Sequence, residues 1–419
     1  MTQSAATTEV TRAAAAIAEC RLIATMSEEP GRTTRRFLTP PVAQVHAHLR
    51  GRMEALGMTV TVDAAGNLRG LWKPTDGDHK RLILGSHIDT VPDAGAFDGV
   101  LGVVLALEWV RAAQALGMPR PIEVIAFSEE EGVRYQVPFL GSRAVAGIFD
   151  QKMMAYEDAE GVRMDDANRA FGLDPARISE ARAEDDVLGF VELHIEQGPV
   201  LEAEGLALAV VQGIAGQSRL GLRFTGQANH AGTTPMHLRR DALAAAAEWM
   251  CAVEATAREA KGLVATVGKI ALEPNAGNVI PGVVSVSLDV RHLRNRERIH
   301  YVQEFTRTAT DIAHKRGLEL EWVQKMSERT VHMDPLLSAD LEAAVEAAGH
   351  PARRIPSGAG HDSMVMATRF PTAMLFLRSP GGISHHPAET VLEDDVEAAI
   401  KVGEFFMRRM NAQMKLNSE

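Results

Sequence analysis

Cysteine is nearly missing from this chain: Cys20 and Cys251 are the only two among 419 residues. Two isolated thiols exclude a disulfide framework and a thiolate metal site, so any metal must be held by histidine and carboxylate. Long apolar runs are missing too, since no stretch reaches the roughly 20 residues that a membrane span needs. The first thirty residues lack a basic segment leading into an unbroken apolar core, so no membrane is expected and the expected location is the cytoplasm. Lys plus Arg number 44 against 55 Asp plus Glu. No basic run with interleaved aromatics is present to follow a phosphate backbone, which removes nucleic acid as a partner. A G-x-G-x-x-G turn between an early strand and helix is lacking, and the GAG at Gly358 has no third glycine, which sets aside a nicotinamide oxidoreductase. Internal repeats, low-complexity tracts and Pro/Ser-rich linkers are likewise absent.

What is present suits two packed domains of roughly 100 to 200 residues each. Hydrophobic residues make up 46% of the chain, enough to fill real cores. Helical patterns over 11–26 and 41–56 lead into an alternating run at 58–62. The apolar runs RLILGSHID (81–89) and PIEVIAF (121–127) enclose a helical 99–116, which predicts a strand, helix, strand unit of a buried parallel sheet. From Ser218 the rhythm changes to strand 219–226, helix 239–260, strands 263–272 and 283–293, helix 295–316 and strand 318–324. That βαββαβ order predicts an inserted ferredoxin-like α+β domain over 214–328. After about Glu328 come a helix, a strand at 372–377 and a last helix at 394–410. The fold class is therefore α/β: residues 1–213 and 329–419 form one discontinuous domain with a mostly parallel central sheet flanked by helices.

His87 and Asp89 stand at the end of a buried strand, and Asp98 follows in AFDG at the start of the next helix. Ligands of doubly wound sheets bind at carboxyl ends of strands, although an isolated HxD serves equally well to cap a turn. The second strand runs into Glu129, Glu130 and Glu131. Three adjacent carboxylates beside a strand end repel one another unless cations neutralise them or water solvates the loop. His194 in ELHIEQGP and His385 in GGISHHPAE also end apolar runs, where a single histidine is most often structural. Together the His, Asp and Glu supply what two cations sharing one carboxylate need, about three protein ligands each, and Zn, Mn, Co and Ni all suit such a set.

The segments GSHIDTVPDAGAFDGVLGV, FSEEEGVRY, ELHIEQGPVLE, NHAGTTPM, NVIPG, DVRH, SGAGHD and GISHHPAE occur in this order. They resemble the di-metal aminoacylase and carboxypeptidase clan, in its allantoate amidohydrolase, N-carbamoyl-L-amino-acid hydrolase and β-ureidopropionase branch. The resemblance runs from about residue 80 to residue 390. It implies that His87, Asp98 and His194 hold one divalent metal ion and Asp98, Glu131 and His385 the other, with Asp98 as the bridge. HIEQGP places His194 where peptidase relatives carry a carboxylate. The pattern of two acids followed by Gly-x-Arg-aromatic makes Glu130 the general base and Glu131 the ligand, and Ser-His-x-Pro selects His385 over His386.

The same resemblance makes the inserted domain a dimerisation or lid element whose His230 reaches a partner subunit's site in a homodimer. A substrate carboxylate calls for a guanidinium fork and amide donors, roles implied for Arg291, Asn278 and the Gly360 backbone, with Gln197 near the ureido end. GIAGQSRL, from Gly213 to Leu220, looks like the Gly-Gln-x-Arg pattern of allantoate amidohydrolases. Gln217 and Arg219 then face the second ureido arm, unless Gln217 merely ties down a hinge. The implied reaction converts allantoate to ureidoglycine, ammonia and carbon dioxide. The alternatives are an N-carbamoyl-L-amino-acid hydrolase or β-ureidopropionase, then a dipeptidase or deacylase of the clan, then a non-catalytic receptor for a small ligand.

Overall fold

The computed structural model of the chain describes residues 10–74 and 80–416. It forms two compact units, one running to Gln212 and resuming at Met333, the other spanning Gly213–His332. The first unit opens with helices α1 (Arg12–Ala24) and α2 (Pro40–Ala55). Thr11 starts α1 by accepting the Ala14 N–H at 3.0 Å, and the Pro40-Pro41 pair suits the first turn of α2, where N–H groups have no helical partner. Strands β1 (Thr59–Val62), β2 (Leu68–Trp72) and β3 (Arg81–His87) follow, then α3 (Val100–Ala115), β4 (Ile122–Phe127), β5 (Val187–Ile195) and β6 (Leu208–Ile214).

The second unit contains β7 (Gly216–Thr225), α4 (Ala242–Glu259), β8 (Val264–Thr266), β9 (Ile270–Glu273), β10 (Val283–His292), α5 (Asn295–Lys315) and β11 (Glu319–Glu328). Its sheet runs β9-β10-β7-β11, every pair antiparallel, with β8 also on β10. This is the ferredoxin-like order. On β10, Val284, Val286, Leu288 and Val290 are buried and alternate with half-buried residues. That alternation is the mark of a sheet with one face packed on helices. The apolar run at 263–272, read as one strand, is two: the ladder breaks around Gly268, where the Lys269 N–H turns to the Ser287 hydroxyl at 3.0 Å. The unit also extends past 328, because β11 runs on to Glu328 and Val331 still pairs with Ile214.

The first unit resumes with α6 (Pro335–Ala347), β12 (Arg354–Ser357), β13 (Thr372–Leu377) and α7 (Glu393–Leu416). Its sheet runs β1-β2-β4-β3-β5-β13-β6, with β12 on β6. The central β4, β3, β5 and β13 are parallel and the flanks antiparallel. Leu82 and Leu84 pack into the layer holding α1, α3 and α7, whereas Ile83 packs with Phe127, Phe190, Met366 and Phe370 on the other face. Burial on both faces is why these strands read as unbroken apolar runs. Gly102 lets α3 lie against β5, since a Cβ there would sit 2.0 Å from the Leu193 carbonyl oxygen. Among the described residues no helix is long and apolar enough to cross a membrane.

Candidate metal centre

Parallel strands deliver their carboxyl ends to one edge. His87 ends β3, His194 lies near the end of β5, Glu129 to Glu131 follow β4, and Ser384 and His385 lie in the loop after β13. Asp98 enters from the turn before α3. There Gly99 takes a φ of 67°, and a Cβ would meet three atoms of the His87 ring at 2.6 Å, so glycine alone lets the turn close over the histidine.

Each of the two central histidines has one nitrogen committed to backbone. His87 Nδ1 lies 3.0 Å from the Asp89 carbonyl oxygen and His194 Nδ1 lies 2.8 Å from that of Ile195. Each ring is thus held by its Nδ1 and turns its Nε2 toward Asp98. Burial works against a charge on either ring, yet hydrogen bonds to Asp89 and Asp98 hold His87 well above the usual imidazole range and the one to Asp98 raises His194. Those Nε2 atoms are 3.4 Å apart and stand 3.5 and 3.1 Å from Asp98 Oδ1. Asp98 Oδ1 is buried with no hydrogen bond of its own. Two imidazole nitrogens and a carboxylate oxygen converging in a buried site fit a divalent cation, which would replace the protons that these groups share without it. His385 Nε2 lies 3.2 Å from Asp98 Oδ2 and 3.2 Å from Glu131 Oε1. The groups His87–Asp98–His194 and Asp98–Glu131–His385 each bring their ligand atoms within 4.8 Å of one another, as do His87, Glu130 and Glu131. Without a cation, protons take its place: hydrogen bonds to Asp98 and Glu131 push His385 up to about 10. Loading a metal there must release a proton.

The acidic triplet divides by backbone geometry. Glu129, at φ 50°, turns its fully buried carboxylate inward to accept the N–H groups of Phe37 at 3.1 Å and Arg134 at 2.8 Å. Burial, then the charge of Asp89, pushes it up to about 8. Asp89 accepts the N–H groups of both Glu130 and Glu131 at 3.0 Å, which aims their side chains at the metal groups. Burial holds Glu130 well above the usual carboxylate range against the pull of His87, and the charges of Glu131 and Asp362 add to the rise. Gln197 donates from Nε2 to Asp98 Oδ2 at 3.0 Å. Gly360 immediately precedes His361, whose ring packs edge-on to His194 at 4.5 Å between centroids.

In the second unit, residues 229–230 pair with 279–280, and the Ala231 N–H reaches the Asn278 carbonyl at 2.9 Å, so His230 and Asn278 stand side by side and exposed. His230 Nδ1 accepts the Gly232 N–H at 3.1 Å, which leaves the proton on Nε2, ready to donate. Arg219 and Arg291 both hold Asp289, the latter with Nε and Nη2 at 2.9 and 3.1 Å. Gln217 gives its Nε2 to Glu328 at 2.7 Å, joining the first strand of the unit to the last.

Arg35 escaped the sequence reading. It is fully buried, donates from Nε to the carbonyl of Ile88, between His87 and Asp89, and from Nη1 to Met26 O at 3.0 Å. Nothing in TTRRF marks it, because its partners lie in other elements.

Residues 83–409 match the model described as Peptidase family M20/M25/M40. An allantoate deiminase of Arabidopsis thaliana is 38% identical over 430 residues, covering 94% of this chain and 82% of its own. An N-carbamoyl-L-amino acid amidohydrolase of Geobacillus stearothermophilus is 38% identical over 380 residues, covering 89% and 92%. The crystal structure of an amidase of the hydantoinase/carbamoylase family from Burkholderia multivorans superposes with a TM-score of 0.88 at 32% identity, covering 94% of this chain and 97% of that one. With its parallel sheet, inserted unit and histidine-carboxylate cluster, this chain belongs to peptidase family M20/M25/M40 and is a hydrolytic enzyme.

Proposed function

We propose that this hydrolase is a two-metal amidohydrolase that cleaves the ureido C–N bond of a small ureido acid, with allantoate as the substrate. The observation that carries this reading is the convergence of the His87 and His194 Nε2 atoms on the buried Asp98 Oδ1. Divalent ions, Zn or Mn first and Co or Ni next, held by His87–Asp98–His194 and by Asp98–Glu131–His385, would lower the pKa of a water toward neutrality and polarise the substrate carbonyl. Glu130, whose burial raises its affinity for a proton, takes the proton of the attacking water and passes it to the leaving nitrogen. The His230 Nε2–H donates to the developing oxyanion. Arg291, Asn278 and the Gly360 N–H hold the substrate carboxylate, which competes with Asp289 for the guanidinium, and Gln197 meets the ureido end. The products are ureidoglycine, ammonia and carbon dioxide.

The test is ammonia release by enzyme stripped with a chelator and reloaded with Mn or Zn, on allantoate, N-carbamoyl-L-alanine and β-ureidopropionate. Metal-dependent release from allantoate alone is expected, and activity confined to a carbamoyl acid moves the substrate to the second reading. One observation favours that second reading, an N-carbamoyl-L-amino-acid hydrolase. Gln217 already spends its Nε2 on Glu328, and Arg219 holds Asp289, so neither is waiting for a second ureido arm.

The reading includes a cytoplasmic homodimer in which His230 serves the partner's centre. Supporting it, β11 lies at an edge of its sheet with Trp322 and Val323 49% and 56% exposed, and Ile299 of α5 is 48% exposed. Apolar side chains on a sheet edge suit pairing with a second copy. Co-refolding inactive His230→Ala with inactive Glu130→Gln chains is expected to restore about a quarter of wild-type activity, because half of a random C2 mixture is heterodimer with one intact site. A mixture that stays inactive means that His230 acts within its own chain.

A further inference from the structure

Glu389 has no part in the reading above, yet it is buried at 5% exposure against the loop that carries the bridging aspartate. Its Oε1 accepts the N–H groups of Phe97 and Asp98 at 2.9 and 3.0 Å. Its Oε2 lies 3.2 Å from the Ser384 hydroxyl. That hydroxyl is also 3.3 Å from Asp98 Oδ2, while Gln197 Nε2 stands 3.2 Å from Ser384 Oγ and 3.0 Å from Asp98 Oδ2. A hydroxyl has one proton, so Ser384 gives it either to Glu389 or to Asp98. Gly95 makes room for the arrangement, since a Cβ there would stand 2.5 Å from Glu389 Oε1.

We propose that Glu389 is a positioning residue for the bridging carboxylate. It pins the Phe97–Asp98 backbone and, by holding the Ser384 proton, keeps that proton off the Asp98 Oδ2 lone pairs that would face a metal. The inference rests on the reading of this site as a two-metal centre. One carboxylate thereby joins the loop before α3 to the loop after β13, the two segments that carry Asp98 and His385.

The Glu389→Gln variant separates the two roles. The two backbone N–H groups orient the amide with its oxygen toward them, so the NH2 points at Ser384 and donates to it. The Ser384 proton must then turn to Asp98 Oδ2, which weakens that oxygen as a ligand. Metal affinity, measured by competition with a chromogenic chelator, is expected to fall about 10- to 100-fold, while the melting temperature of the metal-free protein stays unchanged. In a Ser384→Ala background, Glu389→Gln is expected to add no further loss. Gly95→Ala, which displaces the carboxylate without altering any ligand, is expected to lower metal affinity similarly.

Wild-type affinity retained within twofold in Glu389→Gln overturns the inference. So does a full additional loss in the Ser384→Ala background, or a metal-free melting temperature that falls along with affinity, because either means general support of the fold. Wild-type protein that takes up no metal brings down the two-metal reading and this inference together. Wild type and variant loading equally brings down this inference alone.

Discussion

Glu130→Gln is expected to lower kcat by about 10²- to 10⁴-fold while metal content and KM stay close to wild type. The change is isosteric and keeps the N–H that Asp89 accepts at 3.0 Å, so the loop stays in place. What it removes is a carboxylate able to take a proton. Glu130 also lies in a cluster with His87 and Glu131 that could hold an ion, and the experiment distinguishes base from ligand. Metal content that falls in step with kcat, determined by elemental analysis of purified variant, makes Glu130 a ligand and leaves the base to be found elsewhere.

Asp98→Ala is expected to remove both ions and at least ~10³-fold of turnover, since the charge stabilisation that a metal supplies is worth several kcal/mol. Asp98 is the residue shared by the two groups His87–Asp98–His194 and Asp98–Glu131–His385. Its Oδ1 faces one pair of ligand atoms and its Oδ2 faces His385. His385→Ala, by contrast, is expected to lose one ion and keep the other. Elemental stoichiometry of the two variants settles the matter: an Asp98→Ala chain that still carries one tightly held ion has no bridge at residue 98.

The histidines and acids of the centre were legible as residue types at strand ends, because a parallel sheet buries its strands on both faces and leaves their last residues at one edge. The division of labour within the acidic triplet was not legible from the residues alone, since three identical side chains carry no label. That Glu129 turns inward while Glu130 and Glu131 lie with His87 follows from the left-handed backbone at Glu129 and from Asp89 accepting two successive amides. Gln217 illustrates the opposite case, where a residue set aside for substrate spends its amide on Glu328, 111 positions away in the chain. Likewise the run at 263–272 has a uniform apolar pattern, and only the Lys269–Ser287 hydrogen bond shows where the ladder breaks.

By itself the sequence determined the α/β class and the βαββαβ insertion, because these depend on local periodicity and composition. Motif order added the resemblance, and with it the expected ligands. Tertiary structure alone decided that Arg35 fastens the carbonyl between His87 and Asp89, and that Glu389 fastens the amide of Asp98 across 291 residues. A side chain's type and its neighbours in sequence set what bonds it can make. Which distant backbone group it meets is set by how the sheet and helices pack, and that information is in no single stretch of the chain.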